Sequence, residues 1–480
     1  MTHPAHEPAR YNIAGEAHVV TRAPALERWS WALYDFANTI FSMNIATLYF
    51  AVWLVSDLGS SNTLYASASA LASALVVVSI PFLGAISDAR RRRKRWVVGF
   101  TLLSCAGCAA IGILGQTSLP LIGEQMTGAA TAPVGWTPGV RELGWVLVSY
   151  TIATYAYQAA QPFYNAMLPE LVPPEEQGRM SGLGVAVGYV GSIVGVMLVL
   201  PFFTGSLPVI GSLGPQVMSL LRSIPFTERG GRVSTFLPTG LLFLAFSLPL
   251  FFFCRDHDPV REKTPIPWRR AFHTVMNTIR DSRRHPGAMR FIITTFIYQD
   301  AVGTIVGFMT LYAVKAVGFE KGSEVTLFMA LTVPAIFGSY FFGWLTDRIG
   351  PKRALSATLA TWVLLLLIMI AIPGKAFFWI VGVAIGLNFG GVLAAERPLL
   401  LSLVPDVEAG RYFSLLLLSA RAAAIIGPLI WSVTVDGLES HVGTFIAYRA
   451  AVLTVAIMFA IAWVVLQRVP DRRPGTPAIR

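Results

Sequence analysis

Gly84-Ala-Ile-Ser-Asp88, followed by Arg90, Arg91, Arg92, Arg93, Lys94 and Arg95, returns later in the chain as Gly343-Trp-Leu-Thr-Asp347-Arg348-Ile-Gly350-Pro-Lys352-Arg353. Both stretches read G-x-x-x-D and then turn basic, and each closes an apolar run of helical length. A glycine at a helix end lets a neighbouring helix approach closely. The Asp can cap a helix or pair with an Arg of another segment, either as a latch that breaks in a second state or as a static anchor. Gly84, Asp88, Gly343, Asp347, Arg348, Lys352 and Arg353 are therefore the candidate latch residues. A second echo joins Asp35-Phe-Ala-Asn-Thr39-Ile40 to Asp300-Ala-Val-Gly-Thr304-Ile305 as D-x-x-x-T-I. The two echoes are 259 and 265 residues apart, a difference that loops absorb, so the chain reads as an internal duplication.

The rest of the chain fits a duplicated membrane bundle. It is 54% hydrophobic and 13% charged, with mean hydropathy +0.61. Soluble domains carry about 25% charged residues. Spans are predicted near 29–55, 65–88, 96–116, 143–168, 178–203, 235–254, 291–314, 324–346, 354–373, 376–400, 412–435 and 446–467, many of them near the ~20 residues that cross a bilayer. The net charge of +11 does not point to nucleic acid, because the basic residues lie between spans. Segments on the side of the termini hold 27 Lys and Arg against 8 on the opposite side, which puts both termini in the cytoplasm of a cell (inner or plasma) membrane.

The expected organisation is a cytoplasmic tail over 1–28, a six-helix half over 29–254, a basic linker over 255–290, a second six-helix half over 291–468, and a tail over 469–480. The first tail is polar and has no apolar signal-peptide core, so it is expected to be disordered. Within the linker, Trp268, Phe272, Val275, Met276 and Ile279 recur at helical spacing among arginines. That pattern suits a helix lying on the inner leaflet, or a plain interdomain helix. Cys105 and Cys108 form C-x-x-C without a redox βαβ context and read as small packing residues.

Charges inside apolar spans cost roughly 2.5–3.5 kcal/mol each on insertion scales, so each needs a reason. Five stand out: Asp35, Asp300, Glu396, Arg397 and Arg421. Asp300 is about 13 Å into its predicted helix, near the midplane, and Arg421 reaches a similar depth. Asp300, with Asp35 second, is a candidate for proton coupling or solute contact; a permanent Asp300–Arg421 pair is the structural alternative. Arg421 can also hold a carboxylate or phosphate of the solute. Asp35 and Arg397 read as a cytoplasmic gate pair or as simple anchoring, and Glu396, next to Arg397, joins the gate candidates. Tyr157, Gln161, Tyr164 and Asn165 form a polar stripe at helical spacing, which must face inward, to a cavity or to another helix. Asn388 is a similar candidate in the tenth span.

The second G-x-x-x-D copy closely resembles the signature loop of the major facilitator superfamily; the first copy has Ala89 and Arg91 at two of its positions. A finer resemblance is to the vacuole-effluxer-like family within that superfamily. It rests on Tyr34-Asp35-Phe36-Ala37-Asn38, on Phe163-Tyr164-Asn165-Ala-Met-Leu168-Pro169-Glu170, on Arg179, Ser181, Gly182, Gly184, Gly188 and Tyr189, and on Gly390-Gly391, Arg397, Tyr412-Phe413, Arg421 and Gly427-Pro428. The resemblance implies an all-α fold of twelve transmembrane helices in two pseudo-symmetric halves, with helices 1, 4, 7 and 10 lining a central path. It also implies amino-acid or similar metabolite efflux by alternating access.

Other classes fit less well. All seven histidines lie in tails, loops or the linker, no Ser/His/Asp set converges in the spans, and no metal cluster or cofactor motif is legible. No Walker-type loop is present, so energy must come from a gradient, with protons as the expected partner. The expected reading is a proton-coupled secondary transporter working as a monomer. A receptor or lipid-handling protein on the same fold is the alternative.

Overall fold

A computed structural model describes residues 10–11, 17–18, 22–58, 60, 62–90, 92–117, 138–207, 211–228, 230–256, 285–319, 324–372, 374–405, 408–423 and 426–471. The expected amphipathic linker helix falls on 257–284, outside the described residues. Each predicted span is met by a helical rod. In the first half these are α1 (Ala25–Phe41), α2 (Asn62–Arg90), α3 (Arg93–Thr117), α4 (Pro138–Ala166), α5 (Gln177–Thr204) and α6 (Phe236–Phe253). In the second half they are α7 (Pro286–Tyr312), α8 (Glu324–Ile349), α9 (Pro351–Ala371), α10 (Lys375–Leu403), α11 (in two segments, Ala409–Ala423 and Ile426–Val442) and α12 (Thr444–Gln467). The helix α9, at 21 residues, spans about 31 Å, the thickness of a hydrocarbon core. Six of the described rods, α3, α5, α6, α9, α10 and α12, are apolar enough throughout to cross a membrane by length and composition.

Three local features depart from the expected tail and spans. Helix α1 begins at Ala25, directly after Pro24, because Ala25, Leu26, Glu27 and Arg28 are all strong helix formers, while the two charges hide this turn from hydropathy. Within the expected disordered tail, Arg10–Tyr11 pairs with Ala17–His18, and the Ala23 N–H donates to the Leu171 carbonyl. Beyond Phe41 the first rod widens into π-helical turns at Ser42–Tyr49 and Trp53–Asp57, and α7 does the same at Ala313–Val317. Such widenings are rare and concentrate where helices bend or work.

The packing repeats with a shift of six helices. In the first half α1 packs on α5 and α6, α3 on α4 and α6, and α2 on α4. In the second, α7 packs on α11 and α12, α9 on α10 and α12, and α8 on α10. The halves meet where α5 packs on α8 and α10, and where α11 packs on α2 and α4. The chain is thus an all-α bundle of two pseudo-symmetric six-helix halves.

Small residues make these contacts possible. A β-carbon on Gly191 would lie 2.7 Å from the Phe36 Cα, and one on Gly195 would lie 2.8 Å from the Ile40 side chain, so the glycine ridge of α5 seats α1. The D-x-x-x-T-I echo belongs to the same joint. Thr39 Oγ1 donates to the Gly188 carbonyl at 2.5 Å, while Asp300 Oδ2 accepts the Gly427 N–H at 2.8 Å. Each copy fastens the first helix of its half to the fifth. Between halves, a β-carbon on Gly182 would meet the Gly343 Cα at 2.8 Å, and one on Gly84 would meet the Arg411 backbone at 3.0 Å.

Gly191→Val should therefore lower the thermal midpoint in detergent by several degrees, an overpacking cost of about 1–3 kcal/mol. Gly99→Ala should leave it unchanged, since among the described residues nothing beyond its own stretch of helix lies within 4 Å of a β-carbon there. Equal midpoints for the two variants would contradict this account of the α1–α5 joint.

Candidate functional site

Arg397, on the half of α10 nearer the termini, reaches into the first half of the molecule. Its Nη1 donates to Asp35 Oδ2 at 3.1 Å, and Nη2 lies 3.5 Å from Oδ1. Its guanidinium sits 5.5 Å from the centre of the Trp31 ring and 5.6 Å from that of Tyr164. Those two rings stack on one another at 4.6 Å. They are locked reciprocally: Trp31 Nε1 donates to the Tyr164 carbonyl at 3.2 Å, and the Tyr164 hydroxyl donates to the Trp31 carbonyl at 3.0 Å. Tyr34 packs on Tyr164 and shares a 2.7 Å hydrogen bond with Thr101. The Arg397 and Asp35 side chains are 14% and 9% exposed, so charge pairing and cation–π attraction both act with little competition from water. Gly184 of α5 leaves the space that the carboxylate occupies, for a β-carbon there would stand 2.6 Å from Asp35 Oδ2.

Glu396 turns the other way. Its Oε2 accepts hydrogen bonds from the Tyr298 hydroxyl at 2.7 Å and from Gln299 Nε2 at 2.8 Å, both on α7. The expected trio of Asp35, Glu396 and Arg397 is thus brought together, but with unequal parts: Asp35 and Arg397 cross between halves, and Glu396 stays within the second. Trp31, Tyr298 and Gln299 were not among the expected residues. Trp31 lies one turn before Asp35, and Tyr298-Gln299 directly precede Asp300, so proximity in sequence was the available signal.

Asp300 is 1% exposed; Oδ2 caps the start of the second α11 segment at Gly427, and Oδ1 has no hydrogen-bond partner among the described residues. The Arg421 side chain lies outside the described residues, so the expected Asp300–Arg421 pair is not among the contacts they show. Asn388 faces α9, where its Nδ2 donates to the Thr358 carbonyl at 2.9 Å. In the polar stripe, Tyr157 stacks on Phe41 at 4.8 Å and Tyr164 belongs to the arginine cage. Gln161 Nε2 and Asn165 Oδ1 are buried atoms without hydrogen-bond partners among the described residues, as are Asn38 Oδ1 on α1 and the Tyr189 hydroxyl on α5. Buried polar atoms seldom stay unsatisfied without a reason, and a solute or water is an ordinary one.

The signature loop also divides its labour. Asp347 accepts the N–H groups of Gly178 at 2.7 Å and Arg179 at 2.9 Å, so it caps the start of α5 across the half-interface. Arg348 stacks on Trp344, the Lys352 ammonium donates to the Gln467 carbonyl, and Arg353 pairs with Asp471 at 2.9 Å. In this copy Gly343, Thr346 and Asp347 carry described contacts to the other half, at Gly178 and its neighbours, while the described partners of Arg348, Lys352 and Arg353 lie on their own side. In the first copy, Gly84 packs on α11, and the Asp88 side chain lies outside the described residues. Arg93 of the following basic cluster pairs with Glu170 at 2.7 Å within its own half. Asp256, past the end of α6, caps α3 by accepting the Lys94 N–H at 2.8 Å; burial raises its carboxyl above the ordinary range, against that bond and the neighbouring cations.

Among the described residues, no group of three or more His, Cys, Asp or Glu is placed to hold a metal ion. Cys105, Cys108 and Cys254 are buried free thiols, and Cys108 packs where α3 passes Gly240 of α6.

Comparison with known proteins agrees with this architecture. A protein of Bacillus subtilis named as an uncharacterized MFS-type transporter, YxiO, is 24% identical over 449 residues, covering 92% of this chain and 94% of that one. A protein of Erwinia billingiae named multidrug resistance protein MdtG is 28% identical over 246 residues, 51% of this chain and 57% of that one. Among solved structures, a bacterial homologue of the iron transporter ferroportin, in an outward-facing state, superposes with a TM-score of 0.67 at 14% identity, covering 94% of this chain and all of that one. The major facilitator transporter FucP, in an outward conformation, gives 0.65 at 16% identity, over 93% and 98%. The profile of the family described as "Vacuole effluxer Atg22 like" matches residues 59–474. This chain belongs to that family, and with it to the transporters, not the enzymes, of the major facilitator superfamily.

Proposed function

We propose that the protein is a gradient-driven carrier that exports a small zwitterionic solute of the amino-acid kind by alternating access. In this reading both termini are cytoplasmic in the cell membrane, as the 27-to-8 distribution of Lys and Arg supports. The observation that carries the reading is the Asp35–Arg397 pair, a buried charge pair with one partner in each half. Opening the cytoplasmic side separates those partners, and a buried charge left alone is costly. A solute that brings its own carboxylate and ammonium can replace each partner in turn. The unsatisfied polar atoms of Asn38, Gln161, Asn165 and Tyr189 supply further hydrogen bonds on the first half.

The cross-half contacts described above, at Gly182/Gly343, Gly178/Asp347, Gly84/Arg411 and Asp35/Arg397, all lie toward the end that carries the termini. That distribution supports a state closed to the cytoplasm and open outward. Export is supported by the name of the matched family, an effluxer.

The test is counterflow of a labelled neutral amino-acid mixture in proteoliposomes. Wild-type protein should exchange label, and Asp35→Asn or Arg397→Gln should each lower exchange at least tenfold. Failure of every amino acid to exchange would transfer the fold to the receptor or lipid-handling reading. Stability separates gate from anchor. Each single neutralisation should cost about 3–5 kcal/mol because it strands the other charge, and the double variant should regain most of that. Exchange should stay lost in the refolded double variant; recovery of exchange with stability would leave the pair as an anchor.

A further inference from the structure

Among the described residues, the charges around Arg397 do not balance. Its guanidinium is committed to Asp35, and Glu396, the preceding residue, receives hydrogen bonds on Oε2 from two neutral donors, Tyr298 and Gln299. The described side chains beside them are Trp31 and Tyr164 at Arg397, Tyr34 packed in turn on Tyr164, and Thr295 beside Tyr298, all neutral. Arg421, on the neighbouring α11, has its side chain outside the described residues. Among the described residues, then, two carboxylates share one cation inside a membrane bundle, where an unpaired charge is expensive. A proton removes the surplus.

We propose that Glu396 is the proton-binding carboxylate of this carrier, and that its protonation decides whether Arg397 is left to Asp35. The inference rests on the carrier reading. The proton goes to Oε1, since Oε2 is already taken by Tyr298 and Gln299. With the proton in place, Glu396 makes no claim on the guanidinium, which joins the halves through Asp35. Without it, Glu396 attracts the guanidinium from within the second half, and the cross-half pair weakens. Asp300 is not needed for this switch: it is sealed at the joint of α7 and α11 and caps Gly427. The closed cytoplasmic side binds the extra proton, so by linkage acid favours it and rising pH favours opening.

Spin labels at Glu175→Cys and Arg468→Cys, two exposed positions on the cytoplasmic ends of opposite halves, report that opening. The background carries alanine at Cys105, Cys108 and Cys254, and the protein sits in nanodiscs titrated from about pH 5 to about pH 8. The short-distance population should grow severalfold as pH falls. Glu396→Gln, neutral at every pH, should show the short distance throughout, and Asp300→Asn should keep the wild-type shift. A Glu396→Gln protein that still follows pH would overturn the proposal. So would a wild-type distance that ignores pH. If that same distance still answers to a neutral amino-acid mixture, the carrier reading stands and Glu396 has a permanent counter-charge; if it answers to neither, both readings fall. Should Glu396→Gln not fold, Tyr298→Phe takes its place. Loss of one donor to the carboxylate should move the midpoint of the shift to higher pH, and an unmoved midpoint would overturn the assignment equally.

Discussion

A guanidinium held in a membrane interior needs a counter-charge, and Arg397 takes its own from the opposite half of the molecule. This constraint organises its neighbours. Asp35 must reach across the interface, so α5 carries Gly184 where a side chain would block the carboxylate. The cation must be kept from water, so Trp31 and Tyr164 stack face to face and bond one another's carbonyls. Removing either charge alone leaves the other stranded, which makes the pair a poor passive glue and a good element of a two-state device.

The glycine joints give that device something rigid to move. Within each half, the first helix is fastened to the fifth by close backbone approach and by a Thr or Asp from the D-x-x-x-T-I copy. Between halves the described contacts are of another kind: close glycine joints of α5 with α8 and of α2 with α11, a carboxylate on a helix start, and a buried ion pair. Helix-capping bonds and glycine contacts can part without unwinding either helix. Separable joints of this kind between two firmly fastened halves favour rigid-body rocking over local deformation.

Much of this was legible in the sequence because the physics is local or repeated. Helix count and duplication follow from apolar run length and from two G-x-x-x-D copies at matching places. Asp35, Glu396 and Arg397 drew notice because charges in apolar runs are costly wherever their partners lie. Asp35 and Arg397, 362 residues apart, could be paired by their common depth, but the partners of Glu396 on α7 were not legible, since depth along a helix says nothing about azimuth. The same limit explains Asn388, whose amide turns to the Thr358 carbonyl of α9. It also explains Lys352 and Arg353, whose basic pattern suggests a latch but whose described partners are Gln467 and Asp471 in their own half. Trp31 escaped notice because an aromatic in a membrane helix is ordinary until its stacking partner is known.

The most direct measurement is a structure of the protein with its cytoplasmic side open, trapped for instance by a conformation-specific binder. The account predicts that Asp35 and Arg397 are separated there, while Thr39 still meets Gly188 and Asp300 still caps Gly427. An open cytoplasmic side with the Asp35–Arg397 pair intact would contradict it.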